Sequence, residues 1–195
     1  MSAALGFNLH GFLEFRARTR GGAAWLDLCC GSGWGLIDAA ERLGSIDGIS
    51  IQGVDPMASF APWVAGTHGL TFTAGAIASW KPARDFDLIT CARGLDAVGD
   101  RLGLIARAAG WLVADGVLLA NLDLSHLKMV GRPASLWVPR LLERAGLEYD
   151  RRQVRCRGRK QPQLPLTYLG ASGEAAVGGR AVTARYRLEA GGRPE

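Results

Sequence analysis

Residues 26–40 read Leu-Asp-Leu-Cys-Cys-Gly-Ser-Gly-Trp-Gly-Leu-Ile-Asp-Ala-Ala, and their reading decides the fold. The apolar run over 23–28 predicts a buried strand. Gly31, Gly33 and Gly35 follow at alternate positions. Leu36, Ile37, Ala40 and Leu43 then recur at helical spacing, and Gly44 ends the run. The pattern is strand, glycine turn, helix. Glycine admits positive φ and puts no Cβ between backbone and ligand. Such a turn aims amide N–H groups and a helix N-terminus at one point, which suits a carboxylate or phosphate. A tight connection with no ligand is the competing reading.

The spacing narrows the choice. The dinucleotide fingerprint G-x-G-x-x-G would need a glycine at position 36, where Leu36 stands. That disfavours a nicotinamide-dependent oxidoreductase. The observed G-x-G-x-G, with Asp27 inside the preceding strand, resembles motif I of the class I S-adenosylmethionine-dependent methyltransferases. In that family the turn wraps the methionine part of the cofactor, which implies Asp27, Cys29, Gly31, Ser32 and Gly33 as cofactor contacts, with Pro56 a further one beyond the second strand. Cys29 stands where the family usually has glycine.

Working outward, a second strand over 49–55 ends in Asp55. An acid at that tip of a βαβ unit is placed to accept hydrogen bonds from ribose hydroxyls. The alternative is a helix cap, with Pro56 at the first helical position. Gly53-Val54-Asp55 resembles the family's second motif. A helix to about residue 65 and a third strand over 69–75 follow. The resemblance implies an aspartate after Gly75 for the adenine amino group. Ala76 stands there instead, so adenine recognition falls to the backbone near Ala76 and Ile77. Met57 packs either on the adenine or in the core.

A fourth strand over 85–91 ends in Cys91, a further cofactor contact by resemblance. The loop over 92–100 resembles one that small-molecule methyltransferases often write His-x-Leu-His, with Arg93 and Asp96 at the two histidine positions. A DPPY- or NPPY-type sequence, which marks amino-group methylation of adenine, cytosine or glutamine in the family, is absent. Asp100 caps a helix predicted over 101–113. A fifth strand over 117–122 is continuously apolar, as a buried parallel strand should be. A helix over 136–144, a sixth strand over 147–157 and a last strand over 181–188 complete the elements.

Strands alternating with helices predict an α/β, doubly wound, Rossmann-like sheet. By resemblance it has seven strands in the order 3-2-1-4-5-7-6, with the last strand, 181–188, inserted antiparallel. One domain spans 1–195. Within it, 1–22 is an N-terminal cap segment and 23–122 the cofactor-binding core. Residues 123–190 supply a substrate-side helix and a β-hairpin, and 191–195 a tail.

The 195 residues suffice for one core. No segment reaches the roughly 20 apolar residues needed to span a bilayer, and no signal peptide is evident at 1–10. Cys29, Cys30, Cys91 and Cys156 show no metal-pair spacing, so no metal site is expected. A reducing cytoplasm suits them. The net charge of +5 is mostly arginine and is consistent with a GC-rich genome. The basic run over 151–160 reads as the solvated face of an edge strand, with a nucleic-acid surface as the lesser alternative.

The resemblance implies methyl transfer from S-adenosylmethionine to an O, N or C nucleophile of a small molecule. A catalytically degenerate cofactor-binding or interaction domain of the same fold is the alternative. Base candidates follow the fourth and fifth strands: Asp96, Asp123 and His126, with Asp123 placed to orient the imidazole. Each is otherwise an ordinary loop residue. Arg93 and His10 are candidates for binding the acceptor, Arg93 by pairing with a carboxylate. Trp34 and Trp80 either wall the pocket or pack in the core.

Overall fold

A computed structural model describes residues 2–57, 59–62, 69–173 and 181–191. The chain begins with two helices, α1 (Ser2–Leu5) and α2 (Leu9–Arg20). Then come β1 (Ala23–Leu28), α3 (Trp34–Leu43), β2 (Ile49–Asp55), β3 (Leu70–Ala74) and β4 (Phe86–Cys91). These are followed by α4 (Arg101–Ala109), β5 (Leu112–Asn121), β6 (Leu127–Met129) and α5 (Ala134–Arg144). The last four strands are β7 (Glu148–Asp150), β8 (Gln153–Arg157), β9 (Leu166–Ser172) and β10 (Thr183–Leu188).

Seven strands form one sheet in the order β3-β2-β1-β4-β5-β8-β7. The first five are parallel, and β8 runs antiparallel to β5. This is the expected α/β order, but the last two positions are filled differently. The segment 147–157 was expected to be one strand, with 181–188 inserted beside it. It is instead a hairpin, β7 and β8, turned at Arg151 and Arg152, and both of its strands join the sheet. β10 leaves the main sheet for a second one of three strands, β6-β10-β9.

The reason lies in the turn and the alternation. Arg151 and Arg152 take φ of 46° and 65°, so both central residues are left-handed, as a two-residue hairpin turn requires. β10 alternates buried Ala184 and Tyr186 with exposed Arg185 and Arg187. That pattern covers one face of a small sheet and does not suit a central strand buried on both sides.

The parallel strands divide the core by their period of two. Trp25, Leu88, Ile51 and Leu119 face α2 and α3. Leu26, Leu28, Ile89, Leu118 and Ala120 face α4, α5 and the inner side of the small sheet. α2 is fixed at its foot by Arg16, buried, which donates to Asp115 at 2.8 Å. Arg20 pairs with the same carboxylate. At the other end, Gln153 Nε2 donates to the Leu5 carbonyl at 3.0 Å, and Asn121 Nδ2 donates to the carbonyls of Ala92 (2.9 Å) and Ala4 (3.4 Å). The N-terminal segment therefore spans the sheet and reaches its ligand-binding edge.

The helix expected after Asp55 falls partly outside the described residues, and 59–62 are not helical. The tail expected at 191–195 lies outside them too, save Gly191. α4 ends at Ala109, short of the expected 113, because Gly110 caps it and the chain enters β5 at Leu112. α5 begins at Ala134, which places Pro139 in its second turn.

Candidate functional site

The C-terminal edge of the parallel strands gathers the candidates. β1 delivers Asp27, almost fully buried. Thr90 of the neighbouring β4 donates its hydroxyl to Asp27 Oδ1, and Trp25 Nε1 donates to that hydroxyl at 2.8 Å. Burial raises the Asp27 carboxyl to about 7, against the lowering effect of the Thr90 hydrogen bond. Cys29 follows at φ 58°, left-handed in spite of its side chain. It occupies the position where glycine would be strain-free. Its Cβ lies 2.7 Å from where a Cβ on Gly94 would stand, so the β1 and β4 loops close on each other only because residue 94 is glycine. The hydrogen bond with Cys29, and then burial, push the Cys91 thiol well up.

Gly31 is at φ 59°, and nothing stands within 4 Å of the position a Cβ would take. Its amide donates to Asp55 Oδ2 at 2.9 Å, and Met57 N–H donates to Asp55 Oδ1 at 2.9 Å. Asp55 thus ties the turn at Met57 to the glycine turn, but no helix begins at Pro56 among the described residues, so it is not the helix cap that one reading expected; each oxygen keeps a further lone pair. Gly33, at φ 78°, lies under the Phe72 ring, which stacks on Phe60. The Asp55 carbonyl accepts from Gly75 N–H at 3.2 Å, which brings Ala76 beside the β2 tip. Ser32 and Pro56 are exposed on the same rim, and Ile77 is buried. Trp34 (62% exposed) and Met57 flank the turn, whereas Trp80 packs edge-on against Trp111.

The acceptor-side candidates separate. Asp96 is in the 3-10 turn Leu95–Ala97 and pairs with Arg101 at 3.2 Å. Arg101 is fully buried and also donates to the carbonyls of Asp96 (2.9 Å), Val98 (3.1 Å) and Val182 (2.5 Å). Asp123 accepts from Ser125 N–H at 2.9 Å and from Arg152 at 3.1 Å, and the Ser125 hydrogen bonds hold its carboxyl below the usual range. Asp123 caps a second 3-10 turn, Leu124–His126, which His126 ends, with no hydrogen bond from His126 to Asp123 among the described residues. Arg93 is exposed. His10 lies in the first turn of α2, and its buried Nε2 has no hydrogen-bond partner among the described residues.

Two adjoining clefts of about 340 Å³ each open at this edge. One is lined by Leu5, Asn121, Glu148, Asp150, Gln153 and Arg155 among others. The second is lined by Asp96, Asn121, Leu122, Asp123, Arg151 and Arg152. The sequence reading places Asn121 at the end of the fifth strand but gives it no role, and it missed Gln153, Thr90 and Arg101. Only Arg101 had a signal, a basic residue at the first helical position, where acids are preferred. Among the described residues no group of three or more metal-ligating side chains occurs. No helix there is long and apolar enough to cross a membrane.

A family model described as a methyltransferase domain matches residues 4–154, and the chain belongs to that family, whose class I members use S-adenosylmethionine. Solved structures that match include an S-adenosylmethionine-bound amino pentose methyltransferase from Micromonospora echinaspora, 22% identical, TM-score 0.41, covering 57% of this chain and 48% of that one. An S-adenosylmethionine-dependent methyltransferase from Mesorhizobium loti is 24% identical, TM-score 0.41, covering 51% and 46%. A sugar N-methyltransferase from Streptoalloteichus sp. is 21% identical, TM-score 0.39, covering 57% and 46%. The chain spans about half the length of these structures. No curated protein matches.

The residues fit the cofactor. A left-handed glycine with open space beside it, and a carboxylate with unused acceptor capacity at the neighbouring strand tip, are what a ribose and an amino-acid carboxylate need.

Proposed function

We propose that this chain transfers the methyl group of S-adenosylmethionine to an oxygen, nitrogen or carbon nucleophile of a small molecule held at the acceptor-side clefts. The observation that carries this reading is the Asp55–Gly31 hydrogen bond beside the open turn. In this reading Asp55 accepts the ribose hydroxyls with its remaining lone pairs. Asp27, Cys29, Gly31, Ser32 and Gly33 hold the methionine end, with Cys91 behind them. Pro56 and the backbone at Ala76 and Ile77 border the adenine.

The bound cofactor supplies an already activated methyl on a sulfonium. The chain's own work is alignment and exclusion of water. α1, tied down by Asn121 and Gln153, walls the acceptor side. His10, the second acceptor candidate, lies in the first turn of α2, with a buried Nε2 that has no hydrogen-bond partner among the described residues. Arg93 is exposed and able to meet an acidic acceptor. Of the base candidates, Asp96 is held by Arg101 and Asp123 by Arg152 and Ser125. That leaves His126 as the base for an acceptor that must lose a proton.

The test is calorimetric titration with S-adenosylhomocysteine, with NADH as control, followed by an acceptor screen with labelled methyl donor. Binding of S-adenosylhomocysteine alone, with turnover on an acceptor, supports the proposal. Binding with no turnover on any acceptor identifies the degenerate alternative. No binding by folded protein rejects both.

A further inference from the structure

The three-stranded sheet has an inner face in the core and an outer face in solvent. Its inner face is Leu127 and Met129 of β6 with Ala184 and Tyr186 of β10, all buried. On the outer face Lys128 of β6 is in register with Arg185 of β10, and Arg187 follows two residues on. Neighbouring strands are about 4.8 Å apart and alternate residues about 6.6 Å. Three cations therefore stand side by side. None of them has an ion-pair partner among the described residues.

Like charges directly across a sheet are destabilising. The usual reason for tolerating them, protection of an exposed edge, does not apply to Arg185 and Arg187, because β10 is the central strand of the three. Beside them is a cleft of about 430 Å³ lined by Lys128, Met129, Val130, Gly131, Ser172 and Arg185. Gly131 is left-handed there, at φ 68°, with nothing within 4 Å of its Cβ position, so backbone as well as side chains is accessible. A point charge, a planar guanidinium fork and a hydroxyl then line one concavity.

We propose that this outer face is a phosphate-binding site, separate from the methyl-transfer site, in which Lys128 and Arg185 bind one phosphoryl group and Arg187 its neighbour. The charge and donor set match a phosphate dianion: two cations for its charge, several N–H and O–H donors for its oxygens.

Calorimetric titration of the full chain with inorganic pyrophosphate at low ionic strength tests the site. Lys128→Ala/Arg185→Ala should weaken binding about tenfold or more. Arg18→Ala/Arg42→Ala, with the same change in net charge on the exposed faces of α2 and α3, should leave it unchanged. Because removing a like-charge pair relieves repulsion, the first variant should melt no lower than wild type. A single-stranded oligodeoxynucleotide as second titrant separates the sources. Tighter binding than pyrophosphate, lost in the same variant, assigns the site to a nucleic-acid backbone, and pyrophosphate binding alone assigns it to a free phosphorylated ligand. Binding of neither, or equal loss in both variants, overturns the proposal.

Discussion

The Asp55 carboxylate and the Gly31 amide share a 2.9 Å hydrogen bond, so the tip of β2 and the turn after β1 move as one piece. Asp55→Ala removes the acceptor for Gly31 and Met57 together. It is expected to lower S-adenosylhomocysteine affinity about tenfold or more and to destabilise the fold by about 1–2 kcal/mol. Calorimetry reads the first effect and urea unfolding the second. Unchanged affinity in a folded Asp55→Ala protein would remove the carboxylate from the cofactor site.

Gly33 permits the Phe72 ring to lie on the glycine turn. A Cβ there would come within 2.4 Å of the ring, at a φ of 78°. Gly33→Ala should cost about 2–3 kcal/mol from overpacking and backbone strain together. Phe72→Leu in the same chain should recover part of that loss, which a double-mutant cycle in urea would measure. Strict additivity would mean that the ring is not the obstacle.

Arg101 is a buried cation whose partners are mostly carbonyls. Arg101→Lys cannot reproduce the fork that reaches Val98, Asp96 and Val182 together. A loss of about 3 kcal/mol is expected, close to that of Arg101→Met, by equilibrium denaturation. If lysine restores full stability, charge alone suffices and the fork does not matter.

Two carboxylates give opposite pH limbs. Asp27 is raised from 3.8 to about 7 by burial. Between those values the folded state holds more protons than the unfolded one, so its stabilising share is complete below pH 4 and falls as pH rises towards 7. Asp115 is held at about 2 by the side-chain hydrogen bonds of Arg16 and Arg20. Its share is present above pH 4 and is lost as pH falls towards 2, and it is small because that carboxylate is half exposed. Thermal melts should show Asp27→Asn flattening the limb between 4 and 7, and Asp115→Asn the limb below 4. A pH profile unchanged by Asp27→Asn would show that the group titrates normally.

The β7–β8 turn carries two left-handed arginines. Replacing them by Asn-Gly suits the same backbone better. Arg151→Asn/Arg152→Gly is expected to raise stability by about 1 kcal/mol, net of the exposed Arg152–Asp123 pair. A lower melting temperature would show that this pair outweighs the backbone strain.

The cofactor half of the fold was legible because its signals are local. Asp27, Gly31, Gly33 and Asp55 lie within one βαβ unit, where strand ends and turn residues fix each position. The acceptor half depends on long-range pairing. Arginine is a poor turn residue, so the only local sign of the turn is a change of phase: Leu147 and Tyr149 stand at odd positions, Val154 and Cys156 at even ones, on either side of Arg151-Arg152. Burial of Val154 and Cys156 against β5 fixes the reversal. The partners of Asp96 and Asp123 were hidden for the same reason: Arg101 and Arg152 reach them through the fold, whereas His126, the neighbour in sequence, does not.

The carbonyls that Arg101 gathers lie at residues 96, 98 and 182. Val182 N–H also donates to the Asp96 carbonyl at 2.9 Å. The loop after β4 is therefore completed by a strand made more than 80 residues later in synthesis. While the chain emerges from the ribosome, β1 to β5 can pair and the glycine turn can form, but a charged guanidinium lacks one of its acceptors until residue 182 arrives. The acceptor side should be the last part to become protected from hydrogen exchange during folding, and the first to open when the folded protein is destabilised.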